Sequence, residues 1–285
     1  MKEFSDADLI LNKDGSVYHL NLKPEHVSKN IIVVGDPGRV YHISKHFDNI
    51  EFEMNKREFI THTGTYKNKR ITVMSTGIGV DNIEIAMIEL DALFNIDLKT
   101  RKAKEKKESL NIVRIGTSGA IQEDLAVGSE LVSEYGIGMD NLMLYYKMNH
   151  TDFELEIGKK LQNALKLSFP PYVVKASQTL MEKLGQGLIR GNTVTSPGFY
   201  APQGRQLRID VRNPKLLDQI TYFNHNGFLL TNFEMETSMI YAFARLLGHE
   251  ALSINAILGN RVKGIFSANP YKIIDSIIEK VLDRI

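Results

Sequence analysis

Four short stretches of this chain hold side chains able to grip an anion, a planar ring and a diol. Between Ile31 and Arg39 the residues I-I-V-V-G-D-P-G-R run from an apolar strand pattern into a glycine turn that presents an arginine. A strand ending in such a turn at a helix start aims backbone N–H groups at one point, and Arg39 adds a permanent cation. The turn reads equally as an anion site and as a plain strand-to-helix connection. A second strand pattern runs into Arg114-Ile-Gly-Thr-Ser-Gly-Ala120, where glycines allow close backbone approach and the hydroxyls can donate. Arg114 alone could instead pair with a core carboxylate. Two arginine-bearing glycine turns in one chain favour a phosphate-like anion.

The third stretch, Thr195-Ser-Pro-Gly-Phe-Tyr-Ala-Pro-Gln-Gly-Arg205, is too rich in proline and glycine for a helix or a central strand. Its Phe199, Gln203 and Arg205 are what a heterocycle bearing carbonyl and N–H groups requires, although a packed surface loop would carry the same residues. The fourth, Asn232-Phe-Glu-Met-Glu-Thr237, puts Glu234 and Glu236 where a strand gives way to a helix. Helix capping accounts for at least one of these acids, and a carboxylate there can equally accept two hydrogen bonds from a vicinal diol. Ser75-Thr-Gly-Ile-Gly79 is a further glycine turn into a helix, and Arg57 reads from spacing as a surface residue. The histidines are scattered and no G-x-S-x-G occurs, so neither a nucleophilic triad nor a zinc site is expected.

The elements that must position these groups are short β-branched runs alternating with helical patterns. Strands are expected at Ile31 to Val34, Ile71 to Ser75, Ile112 to Ile115, Leu131 to Ser133, Tyr172 to Ala176, Phe228 to Thr231 and Leu252 to Leu258. The spacing predicts helices over Asn82 to Phe94, with Ile85, Ile88 and Leu93 as the buried stripe, over Met235 to Leu247 ending at Gly248, and over Tyr271 to Leu282. That alternation implies an α/β sheet with covered faces. With 285 residues, 43% of them apolar, the chain can bury a substantial core, and no repeat or linker marks a boundary, so 1–285 reads as a single domain. Lys99 to Glu108 is a charged insertion near 99–109, with six lysines and arginines, and reads as an exposed helix extension or a mobile loop. It has no interleaved aromatics, and 35 basic residues against 34 acidic ones give no general field for nucleic acid or a membrane surface. The absence of cysteine removes disulfides and thiolate chemistry. The acidic start predicts no signal peptide and no run predicts a membrane span, which points to the cytoplasm.

Taken in order, Val17-Tyr-His-Leu20, Gly35 to Arg39, Lys56-Arg-Glu-Phe59, Ser75 to Gly79, Arg114-Ile-Gly-Thr-Ser-Gly-Ala-Ile121 and Phe233-Glu-Met-Glu236 resemble the nucleoside phosphorylase family, which includes uridine phosphorylase, bacterial purine nucleoside phosphorylase and the methylthioadenosine nucleosidases. The resemblance implies a mixed, twisted central β-sheet flanked by helices. It also implies cleavage of an N-glycosidic bond by inorganic phosphate as co-substrate, with no cofactor. On the matching positions Gly35, Arg39, Arg114 and Thr117 would hold phosphate, with Arg57 reaching in from a neighbouring subunit. Met235 and Glu236 would grip the ribose hydroxyls, and His19 would reach the 5′-hydroxyl from across a dimer. Phe199, Gln203 and Arg205 match the base-loop pattern of the uridine enzymes, so Arg114, Arg205 and Glu236 are the catalytic candidates.

Purine enzymes of the family protonate the base with an aspartate shortly after the strand near residue 258, but here Leu258-Gly-Asn-Arg261 has no acid. This favours uridine, with deoxyuridine or thymidine as extensions, and a role in pyrimidine nucleoside salvage and catabolism; Arg261 would help to order the base loop. The alternatives are a purine phosphorylase or nucleosidase of the family, and a nucleoside-binding protein without turnover. A homo-oligomer, dimer or hexamer of dimers, follows from the shared sites. Two departures stand out. Ala201-Pro202 and Gly204 replace the usual loop residues, and Asn82 stands where some relatives have a serine beside Glu58 and Ile78 at a monovalent-cation site.

Overall fold

Ile31 to Val34 are buried on both faces, as a run of four β-branched residues in a covered parallel strand should be. In the computed structural model, which describes residues 3–285, this run forms β1 (Asn30–Val34) and leads into α1 (Pro37–Ser44). Chain contacts divide the protein into two compact units, Met1–Val113 with Phe243–Glu250, and Arg114–Ala242 with Ala251–Ile285.

The first unit continues with β2 (Asn49–Lys56), β3 (Phe59–Tyr66), β4 (Lys69–Ser75), α2 (Val80–Asn95), the small hairpin β5 (Ile96–Asp97) and β6 (Lys102–Ala103), and the start of β7 (Asn111–Ala120). Its sheet order is β2-β3-β4-β1, antiparallel except for the parallel β4–β1 pair that sets Val34 beside Ser75. The glycine turns after β1 and after β4 therefore leave the sheet side by side. Gly35 can sit there because it lacks a side chain: a Cβ would stand 3.3 Å from the Gly77 carbonyl oxygen.

The second unit takes the rest of β7, then β8 (Glu130–Gly138), α3 (Asp152–Leu165), β9 (Tyr172–Lys175), α4 (Gln178–Leu184), β10 (Ile189–Thr195), α5 (Leu216–Thr221), the hairpin β11 (Asn224–His225) and β12 (Phe228–Leu229), β13 (Asn232–Glu234), the first turns of α6 (Thr237–Leu247), β14 (Glu250–Asn260), β15 (Ile265–Phe266) and α7 (Pro270–Arg284). Its strands run β15-β14-β8-β10-β13-β7, with β9 also on β8. The β8–β10 and β10–β13 pairs are parallel, while β13–β7 and β14–β8 are antiparallel. The mixed sheet flanked by helices is thus found. Helix α3 opens on a Thr151/Glu154 capping box and lays Ile157, Leu161 and Leu165, four apart on one face, into a core with Ile137, Val173, Val194 and Phe233. Each such aliphatic side chain contributes about 1.5–3 kcal/mol when fully buried. No described helix is long and apolar enough to cross a membrane.

Three sequence expectations need correction. In α2 the buried face carries Ile83, Met87, Leu90 and, as expected, Leu93, while Ile88 is exposed and Ile85 half-buried, so the face is rotated from most of the expected stripe. The single strand at Phe228 to Thr231 is instead the end of a hairpin, followed by β13, with Asn232 locked by side-chain hydrogen bonds to Thr193 and Ser118. The charged insertion is an anchored hairpin rather than a helix extension. Lys104 and Lys107 donate to the Phe94 and Asn95 carbonyls at the end of α2, Asn95 holds Glu108 through its backbone N–H and carbonyl, and Arg101 donates to the carbonyls of Phe4, Ser5 and Leu9. Cations satisfying the last carbonyls of a helix explain why the run is lysine-rich.

Candidate active site

Parallel strands β10 and β13 end together, Thr195 beside Glu234, and two of the chemistry-bearing stretches, the loop from Thr195 to Arg205 and the segment from Glu234 to Thr237, start from their ends. Glu234 is buried and its carboxylate is fully engaged. Oε1 accepts from the Thr195 hydroxyl at 2.6 Å, and Oε2 accepts from the backbone N–H groups of Glu236 and Thr237, both at 2.9 Å. It is the acid that holds the start of α6, where the helix dipole favours negative charge.

Glu236, two residues on, turns to Arg114 instead, with Nη2 to Oε2 at 2.6 Å; Glu234 lies 3.1 Å from the same nitrogen. Nη1 of Arg114 donates to Asn255 Oδ1 at 2.8 Å and faces the Ser253 hydroxyl at 3.4 Å. Burial alone would lower the Arg114 pKa, but Glu234 and Glu236 outweigh it and hold the guanidinium above the ordinary arginine value. Arg114 thus makes the carboxylate pairing that the sequence left open, and one cation stands between two buried acids. Gly116 is required beside it, since a Cβ there would overlap the guanidinium. Thr117 lies half-buried farther along β7, and Met235 half-buried between the two acids.

Ser253 and Asn255 were not anticipated. Their signal was present, two polar residues at i and i+2 inside an apolar strand, hence on one face. Asn255 also donates to Ser133, whose hydroxyl is 2.5 Å from Thr193, so the guanidinium rests on a connected buried network.

The loop after β10 contains one short helical turn, Ala201–Gln203, which the proline and glycine content had argued against; Gly204 closes it at φ +70°. Arg205 donates to the Phe199 carbonyl at 2.6 Å and to Gln203 Oε1 at 2.5 Å, and its guanidinium carbon stands 3.8 Å from the Phe199 ring centroid. The three base-loop candidates are therefore brought together, with Gln203 buried and Phe199 half exposed. One face of the Phe199 ring is covered by the guanidinium rather than open to a ligand. Arg261 donates to the Gln203 carbonyl at 2.9 Å, and its chain passes Gly119 where a Cβ would be 3.6 Å away. Partial burial, and then the neighbouring Arg261 cation, pull the Arg205 pKa down to about 10. Arg205 still carries its charge at neutral pH, so two cations converge on this loop.

In the first unit, Asp36 caps α1 by accepting from the Gly38 N–H at 2.9 Å, which places Arg39 in the first turn. Arg57 occupies the β2–β3 turn at φ +54°, exposed, with its guanidinium 5.9 Å from the Tyr18 ring centroid. The Tyr18 and His19 rings meet in a T-shaped arrangement, their centroids 4.8 Å apart. His19 and Arg57 are thus neighbours through Tyr18. Around Gly77 the structure gathers Glu58 and Asn82, and Asn82 Nδ2 faces the Ile78 carbonyl at 3.4 Å, an N–H donor where a cation site would need an oxygen.

Comparison with known proteins places these motifs in one group. The model of the phosphorylase superfamily matches residues 29–271. A uridine phosphorylase of Thermococcus kodakarensis is 29% identical over 272 residues, covering 93% of this chain and 85% of the relative. A DeoD-type purine nucleoside phosphorylase of Bacillus thuringiensis is 27% identical over 239 residues, 83% of each chain. Among solved structures, a Trypanosoma brucei nucleoside phosphorylase described as showing uridine phosphorylase activity superimposes with a TM-score of 0.87 at 29% identity, covering 97% of this chain and 99% of its own.

Proposed function

The chain belongs to the phosphorylase superfamily, and from that premise we propose that it is a uridine phosphorylase, a pentosyltransferase that converts uridine and inorganic phosphate to uracil and ribose 1-phosphate. The observation that carries the choice of base is the joined Phe199, Gln203 and Arg205 cluster, with Arg261 behind it. With Oε1 taken by Arg205, the Gln203 amide offers Nε2 as a donor to a ring carbonyl. Arg205, charged at neutral pH, suits a pyrimidine whose carbonyls gain negative charge as it departs.

Breaking the glycosidic bond makes the ribose cation-like and the base anion-like. Phosphate stabilises the first and becomes the nucleophile; Arg205 stabilises the second, so no protein nucleophile is needed. Glu236 and Met235 take the ribose, Arg114 and Thr117 take phosphate, and Gly35, Arg39 and Arg57 keep the phosphate role that the family resemblance gives them. His19 keeps its 5′-hydroxyl role. The carboxylates that pin Arg114 support this reading by fixing its guanidinium before substrate arrives, which lowers the reorganisation needed on binding. The reading takes 1–285 as one functional domain, a cytoplasmic homo-oligomer with sites shared between subunits.

Incubation with uridine, with and without phosphate, tests it by following free uracil. Uracil release that requires phosphate is expected. Release that does not depend on phosphate, or turnover of inosine alone, overturns the assignment.

A further inference from the structure

Glu89 lies in the interior of α2, where a carboxylate has no helix end to cap, yet it meets three N–H groups of a different segment. Its Oε2 accepts from the backbone N–H of His19 at 3.0 Å and of Leu20 at 2.9 Å, and Oε1 lies 2.6 Å from His19 Nδ1. Leu20 is fully buried, so the peptide is fixed on its other side as well. An ionised carboxylate only accepts hydrogen bonds, so the proton of that short contact belongs to Nδ1. In a neutral imidazole with Nδ1 protonated, Nε2 is bare and accepts. The His19 side chain keeps 30% of its surface exposed, so this acceptor is reachable, whereas the Glu89 side chain keeps only 14%.

We propose that Glu89 is a positioning residue that holds His19 as the Nδ1–H tautomer, leaving Nε2 as a hydrogen-bond acceptor for the 5′-hydroxyl of the nucleoside. This rests on the uridine phosphorylase reading for the identity of the hydroxyl, but not for the tautomer. The same carboxylate fixes the backbone around Tyr18, against which Arg57 stands. One acid on α2 therefore sets the pose of two residues that the family resemblance assigns to substrate.

Nitrogen-15 spectra of histidine-labelled protein at neutral pH test the tautomer without any change at Glu89, the His19 signals being assigned by their loss in His19→Gln. A protonated Nδ1 with bare Nε2 is expected; a bare Nδ1, or protons on both nitrogens, overturns the proposal. The use of that tautomer is read from the ratio of kcat/KM for uridine to that for 5′-deoxyuridine. In Glu89→Gln this ratio should fall about tenfold, the value of one hydrogen bond of about 1.4 kcal/mol. An equal loss on both substrates would reduce Glu89 to a support of the fold and sink the proposal. If wild-type protein releases uracil from both substrates equally well, the 5′-hydroxyl contact falls while the phosphorolytic reading stands. If neither substrate is cleaved, the phosphorolytic reading itself falls, and the spectra still decide the tautomer.

Discussion

Two acids separated by one residue do different work because their carboxylates face different partners. Glu234 accepts from two N–H groups at the start of α6 and from Thr195, whereas Glu236 turns to Arg114. Glu236 is therefore the acid proposed for substrate, and Glu234 is the acid that keeps strand, helix and guanidinium in register. Arg205 has a similarly separable role, since its side-chain hydrogen bonds to Phe199 and Gln203 and its stacking on Phe199 lie within the base loop. Arg205→Ala should lower kcat on uridine by about 100-fold to 1,000-fold, the usual effect of removing a donor aimed at developing negative charge. Phosphate affinity, read by equilibrium dialysis, should change little. Collapse of phosphate affinity with retained uracil binding would put the loop on the wrong ligand.

Asp140, just beyond β8, is a buried carboxyl at a strand end. It accepts from the Tyr172 hydroxyl on β9 at 2.7 Å and from the Leu142 N–H at 2.9 Å, and Ser238 on α6 donates to the same tyrosine oxygen. Burial raises the Asp140 pKa against the lowering effect of the Tyr172 hydrogen bond. A carboxyl with a raised folded pKa keeps its proton where the unfolded chain has lost it, so its contribution is full below about pH 4 and is lost as pH rises through the folded value. Asp140→Asn imitates the protonated form at every pH. The melting temperature of the variant minus that of wild type should therefore increase from pH 4 to pH 8. A difference that shrinks over that range would mean that the carboxylate is the stabilised form.

Across the molecule, the residues given to phosphate and the 5′-hydroxyl fall in the first unit, and those given to base and ribose in the second, with Arg114 and Thr117 on the strand where one unit passes into the other. If Arg57 serves a neighbouring subunit, two inactive variants should complement each other. Arg57→Ala and Arg205→Ala, unfolded together and refolded as an equal mixture, should regain about a quarter of wild-type activity. Statistical pairing makes about half of the dimers mixed, and each mixed dimer holds one intact site of two. Recovery no greater than the sum of the parent variants would place Arg57 in the site of its own chain.

Much of this was legible because the chemistry is written in short local motifs. Strand β1, its Asp36-capped turn, the glycine after α6 and the clustering of Phe199, Gln203 and Arg205 each depend on neighbours within about ten residues of chain. What the sequence by itself determined was the α/β alternation, the family and which residue types are available to phosphate, ribose and base. What only the tertiary structure decided were pairings between residues far apart in the chain: Arg114 with Glu236 and Asn255, and Glu89 with His19. The reason is physical. A carboxylate or guanidinium carries no mark of its partner, and its role is fixed by whichever donor or acceptor the sheet order and helix rotation bring within hydrogen-bond reach.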